Sequence, residues 1–100
     1  MPAAIALPSP KRLAAFCREH GIQKLQLFGS ANRQDFDRDR SDIDLLVEYA
    51  AGRHPGLGHF SVAEELSVLF GHRVDLATPV MLGRFLPKVQ QDALTLYVAA

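Results

Sequence analysis

Asp42 and Asp44 stand one residue apart in the run Ser-Asp-Ile-Asp-Leu-Leu-Val-Glu, and a third acid, Asp75, recurs in Arg-Val-Asp-Leu-Ala. If both runs are strands, the first two carboxylates leave the same face of the chain, roughly 6.6 Å apart along it. Ile43, between them, points the other way. Carboxylate oxygens are the ligands that Mg2+ prefers, commonly shared with substrate phosphates. Phosphoryl or nucleotidyl transfer to a hydroxyl suits two such ions about 3.5–4 Å apart, one near the acceptor oxygen and one on the triphosphate. Upstream of the pair, beyond residues 31–41, lies Gly29-Ser30. There a glycine lets the backbone turn tightly, and a serine can offer its hydroxyl and N–H to a phosphate. Gathering three like charges has a cost, because each raises the others' pKa. A purely structural protein has little reason to keep them together.

The flanking sequence must position these groups. Ser9-Pro10 reads as an N-cap with proline in the first turn, and Leu13, Phe16 and Cys17 recur at helical spacing, which predicts a helix from about Pro10 to His20. Leu25 and Leu27 alternate with Lys24 and Gln26, a short strand ending where Phe28 meets Gly29-Ser30. Between Arg33 and Arg40 acids and bases alternate without an apolar period, which predicts a short helical turn and a solvated loop. The strand from Asp42 to about Tyr49 places Ile43, Leu45, Val47 and Tyr49 on one face and Asp42, Asp44 and Leu46 on the other. Three glycines and Pro55 mark residues 50–58 as a flexible loop. Phe60, Ala63, Leu66, Leu69 and Phe70 return to helical spacing, stopped by Gly71. Val74 and Leu76 share a face that leaves Asp75 opposite, on a third strand. Thr78-Pro79 is another cap, and Leu82, Phe85, Leu86, Val89 and Leu94 predict helical structure at the C-terminus, interrupted or restarted at Pro87.

The 100 residues, 48% hydrophobic and 22% charged, suit one globular domain spanning 1–100. Eleven basic residues balance eleven acidic ones, so no global positive field draws in nucleic acid, and direct nucleic-acid binding is not expected. The single cysteine, Cys17, excludes an intramolecular disulfide framework and fits a reducing, cytoplasmic setting. On the apolar stripe with Leu13 and Phe16, it reads as a buried structural thiol. The N-terminus lacks the basic start of a signal peptide, and no apolar run approaches the roughly 18 residues a membrane span requires. Asp35, Asp37 and Asp39 mimic the opening of a calcium loop, but Arg40 stands where glycine is required and Leu46 where the bidentate Glu belongs. The four histidines lack zinc-motif spacing, and His54 and His59 read as polar loop groups. Arg33 is a candidate phosphate contact, and Tyr97, in the apolar tail, packs against the core or against another protein.

The ordered set of strand, Gly29-Ser30, loop, Ser41-Asp42-Ile43-Asp44, helix and Val74-Asp75-Leu76 resembles the minimal nucleotidyltransferases, antitoxins of prokaryotic HEPN/MNT toxin–antitoxin pairs within the DNA polymerase beta-like superfamily. The resemblance covers nearly the whole chain and implies an α+β fold, a small mixed β-sheet flanked by helices. It also implies that Gly29 and Ser30 contact the triphosphate, that Asp42 and Asp44 bind the metals, and that Asp75 completes the site. Family members commonly carry Gly-Ser-x-Ala-Arg-Gly; here the run is Gly-Ser-Ala-Asn-Arg-Gln, which keeps Arg33 and departs at Asn32 and Gln34. Larger relatives add a domain that selects the acceptor, and a chain of this length leaves that task to a partner. The implied activity is transfer of AMP from ATP, with two Mg2+ ions, to a hydroxyl side chain of a cognate HEPN ribonuclease toxin. Two other readings remain open: a catalytically silent antitoxin that neutralises by occlusion alone, and an antibiotic-modifying transferase.

Overall fold

The structure, a computed structural model, describes residues 6–29, 37 and 39–100. Helix α1 spans Pro10–Glu19; Ser9 Oγ accepts from the Arg12 N–H at 3.2 Å, and Leu13 and Cys17, one turn apart, are its buried contacts. Strand β1, Ile22–Phe28, runs antiparallel to β2, Ile43–Tyr49. Helix α2, His59–Phe70, stops at Gly71, whose φ of 66° lies in the left-handed region, and its chain crosses over to β3, Val74–Ala77, parallel to β2. Thr78 Oγ1 caps the one-turn helix α3, Pro79–Leu82, by accepting from the Met81 N–H at 3.3 Å. A 3-10 turn, Gly83–Phe85, leads into α4, Leu86–Asp92, with Pro87 in its first turn.

Residues 94–98 form strand β4, Leu94–Val98, where helical periodicity predicts continued helix. Leu94 falls out of register with the stripe of α4, the run Leu-Thr-Leu-Tyr-Val is rich in strand formers, and pairing along β1 satisfies its backbone. The sheet order is β3-β2-β1-β4. One face carries the core: Leu25, Leu27, Ile43, Leu45 and Val47 pack with Leu13 and Cys17 of α1 and Val62, Leu66 and Phe70 of α2. Tyr97 is partly buried against this cluster. Strand alternation therefore sends Phe28, Asp44 and Asp75 to the opposite face.

His59 departs from its expected loop position. It opens α2, is buried, and bridges two strands: Nε2 donates to the Leu76 carbonyl at 2.9 Å. Because a carbonyl only accepts, Nδ1 is left bare, and the Tyr49 hydroxyl donates to it at 2.9 Å. Burial pushes the Tyr49 phenol up to about 12. His54 stays exposed, its Nδ1 accepting from the Gly56 N–H at 3.1 Å.

Among the described residues, no helix is long and apolar enough to cross a membrane.

Candidate functional site

The parallel register of β2 and β3 sets Asp44 directly opposite Asp75, and the antiparallel register of β1 and β2 sets it opposite Phe28. Asp44 is half-buried and Asp75 exposed. Residues in register on neighbouring strands point to the same side, so two acids from separate β-segments share one face. Neither turns inward among the aliphatic groups. Asp42 lies just before β2, exposed, where the backbone is pinned by the Ile43 N–H donating to the Arg73 carbonyl at 2.9 Å.

The three carboxylates do not close into one cluster. Among the described residues, no group of three or more His, Cys, Asp or Glu side chains is gathered closely enough to hold a metal ion by itself. Asp42 has another partner: Arg73 Nε donates to its Oδ1 at 2.8 Å. Like charges repel where no cation lies between them, and the Arg73 guanidinium supplies a cation beside Asp42.

Gly29 ends β1 with φ 71°, and a side chain there would collide with the Asp44 carboxylate, whose Cγ and Cβ lie 3.1 and 3.3 Å from the site of a Cβ. The glycine is thus required twice, for its backbone conformation and for the room it leaves beside Asp44. Ser30 and Arg33, the other predicted phosphate contacts, lie outside the described residues. So does most of the predicted turn from Arg33 to Arg40. Its end is a tight turn in which Asp37 Oδ1 accepts from the Asp39 N–H at 2.9 Å and the Asp37 carbonyl from the Ser41 N–H at 2.7 Å.

Beside Gly29 opens a cavity of about 310 Å³ lined by Phe28, Gly29, Phe85, Lys88, Val89 and Asp92. It is formed between the end of β1 and α4. Arg84 lies 5.1 Å from the centre of the Phe85 ring. A larger cavity, about 680 Å³, lies at the far end of β2, among Tyr49, His59, Phe60, Pro79, Val80 and Met81. Tyr49 lies five positions beyond Asp44, roughly 16 Å of strand, so the carboxylates and the larger cavity are separate features.

Two basic residues at this site escaped the sequence reading. Arg73 was legible in principle, because it stands two before Asp75 and alternation puts both on one face. Lys88 reaches the cavity through the fold of α3 and α4, which no local pattern announces.

The local geometry has counterparts among known proteins. The nucleotidyltransferase domain family model matches residues 10–96. A curated Methanocaldococcus jannaschii protein, "Putative protein adenylyltransferase MJ0435", is 31% identical over 68 residues, 68% of this chain and 71% of that one. Among solved structures, one described as a putative minimal nucleotidyltransferase is 32% identical, with 85% of this chain and 86% of that chain covered at a TM-score of 0.70. Another, the tri-AMPylated Shewanella oneidensis HEPN toxin in complex with MNT antitoxin, is 19% identical, covers 90% of this chain and 70% of that one, and shares the fold at a TM-score of 0.63. With the family match spanning α1 to β4 and two acids paired between its two parallel strands, the chain belongs to the nucleotidyltransferase domain family and is a nucleotidyltransferase enzyme.

Proposed function

We propose that this protein is an antitoxin that transfers AMP from ATP, with Mg2+, to a hydroxyl side chain of a HEPN-domain toxin. The observation that carries this reading is the Asp44–Asp75 pair, held opposite each other on parallel strands beside a glycine that leaves the carboxylate room. Support also comes from the relatives, one named an adenylyltransferase and one solved with an AMPylated HEPN toxin. Exposed apolar side chains, Phe60, Val80, Met81 and Phe85 among them, are in keeping with a protein that works in a complex.

The donor set fits magnesium. Asp44 and Asp75 are hard oxygen ligands, and Mg2+ is usually held by one or two carboxylates, with phosphate oxygens and waters completing its shell. A ready-made cage of three carboxylates is therefore not needed, and Asp42 becomes a further ligand once Arg73 leaves it. Held there, two Mg2+ ions would supply positive charge against the triphosphate and lower the pKa of the acceptor hydroxyl.

The chain's own residues do the rest. The cavity between β1 and α4 receives the nucleotide, with the Lys88 ammonium offsetting phosphate charge. Gly29 lets the substrate approach Asp44 without a side chain between them, and Ser30 and Arg33 contact the triphosphate. Asp75, the more exposed of the paired acids, faces the acceptor. A carboxylate oxygen of Asp75 takes the proton of the acceptor hydroxyl as the hydroxyl oxygen bonds to the α-phosphorus and the bond to pyrophosphate breaks. The products are AMP-modified partner, pyrophosphate and a proton.

The test is incubation with ATP labelled at the α-phosphate, Mg2+ and a HEPN-domain toxin encoded beside this protein's gene. Label should pass to the toxin with the wild-type protein and fail to pass with Asp44→Asn or Asp75→Asn. Undiminished neutralisation of the toxin by Asp44→Asn, without label, would instead establish occlusion.

A further inference from the structure

The row formed by β2 and β3 has a second cross-strand pair beyond Asp44 and Asp75. Because Ile43 is in register with Val74, the next position outward sets Asp42 against Arg73, and the two side chains meet at 2.8 Å. Alternation puts Asp42 and Asp44 on one side of their strand and Arg73 and Asp75 on the same side of theirs. The face thus carries a two-by-two array of three acids and one base.

We propose that Arg73 is a built-in counter-cation that occupies Asp42 in the free protein and moves to the triphosphate when nucleotide arrives, so that the metal ions enter with the nucleotide rather than before it. This rests on the assignment of Asp42, Asp44 and Asp75 as the metal-binding acids. The argument is one of competing partners. Asp42 cannot serve a divalent ion and the guanidinium equally well, and in the arrangement where it holds the guanidinium the described residues, Asp42 included, gather no three acids around one point. Both side chains are largely exposed, 63% for Arg73 and 46% for Asp42, so their pairing is weak and readily exchanged. A polyphosphate carries more charge than a single carboxylate and accepts the guanidinium's parallel N–H groups in bidentate fashion, which makes it the better partner. The Arg73 side chain leaves without disturbing the sheet, because the residue's contribution there is its carbonyl, which accepts from Ile43 whatever the side chain does.

The experiment is Mn2+ binding to the full chain, followed by electron paramagnetic resonance of free Mn2+, with and without the non-hydrolysable analogue AMP-PNP. Wild-type protein should bind Mn2+ weakly alone and much more tightly with AMP-PNP. Arg73→Gln should move the two affinities in opposite directions. Mn2+ alone should bind about two- to fivefold tighter, the factor an exposed ion pair is worth. Mn2+ with AMP-PNP should bind about tenfold weaker, the loss of a charge-assisted contact to phosphate. Arg73→Lys, which keeps the charge, should stay near wild type in the absence of nucleotide. Affinities that move together, or do not move, overturn the proposal for Arg73 alone. If wild-type protein binds no Mn2+ even with AMP-PNP, the assignment of the acids fails first, and this inference with it.

Discussion

Replacing Gly29 by alanine should cost more than its backbone conformation explains, and the excess should depend on Asp44. With φ at 71°, an L-residue at this position pays about 1–2 kcal/mol for the left-handed conformation. The added methyl also runs into the Asp44 carboxylate. Relief requires the side chain to leave its rotamer well, about 0.5–1.5 kcal/mol, for a total near 2–3 kcal/mol. Gly52 is the internal control, because its φ of 77° imposes the same conformational cost while nothing lies within 4 Å of its missing Cβ. Urea unfolding of the two alanine variants isolates the contact, and thermal melts should separate them by several degrees, at about 4–8 °C per kcal/mol for a chain of this size. Asp44→Ala completes a double-mutant cycle: in that background Gly29→Ala should cost no more than Gly52→Ala. In the transferase assay Gly29→Ala should lose about a hundredfold, the effect of displacing a reacting group by roughly 1 Å. Equal costs at the two glycines, or a penalty at Gly29 that persists without Asp44, would mean that the Asp44 carboxylate does not crowd this position.

Other perturbations follow from the same contacts. Tyr49→Phe strips the donor from His59 Nδ1 and should destabilise by about 1–2 kcal/mol in urea titrations, whereas His59→Phe leaves both the Leu76 carbonyl and the Tyr49 hydroxyl unpaired and should cost about 2–4 kcal/mol. Burial pushes the Cys17 thiol from its ordinary 9.0 up to about 12. Because the folded pKa is the higher one, the stability from keeping the thiol neutral is whole below pH 9.0 and is lost as pH rises towards 12. Urea midpoints of Cys17→Ala should therefore fall less steeply above pH 9.0 than those of wild type, and the native thiol should resist alkylating reagents near neutral pH. Millimolar Mg-ATP should raise the melting temperature of the wild-type protein and not that of Asp44→Asn with Asp75→Asn, since a ligand that binds only the folded form stabilises it.

Much of the fold is written in local chemistry. Ser9-Pro10 and Thr78-Pro79 cap helices because each pair supplies a side-chain acceptor and a preset φ, and Gly71 ends α2 because only glycine enters the left-handed region without strain. Alternation in Ile43–Tyr49 separates the core face from the acid face without tertiary information. The misses are non-local. Strand β4 exists because β1 offers an unpaired edge far away in sequence, and a helical stripe through Leu82 and Val89 gives no warning that Leu94 starts something else. His59 is buried because Leu76 and Tyr49, on two different strands, supply partners for both ring nitrogens. At the site, the pairing of Asp44 with Asp75 followed from two strands of the right length. The diversion of Asp42 to Arg73 depends on strand register, which a sequence leaves open.

In the proposed function Asp44 and Asp75 act together to move an adenylyl group onto a partner protein. The most direct measurement is the intact mass of a HEPN toxin co-purified with this protein after expression of both in one cell. Wild type should leave the toxin heavier by whole adenylyl groups, each on a hydroxyl side chain, while Asp44→Asn and Asp75→Asn should leave it at its unmodified mass although still bound. A toxin of unmodified mass beside the wild-type protein, or one modified equally beside the two variants, would mean that this acid pair does not transfer the adenylyl group.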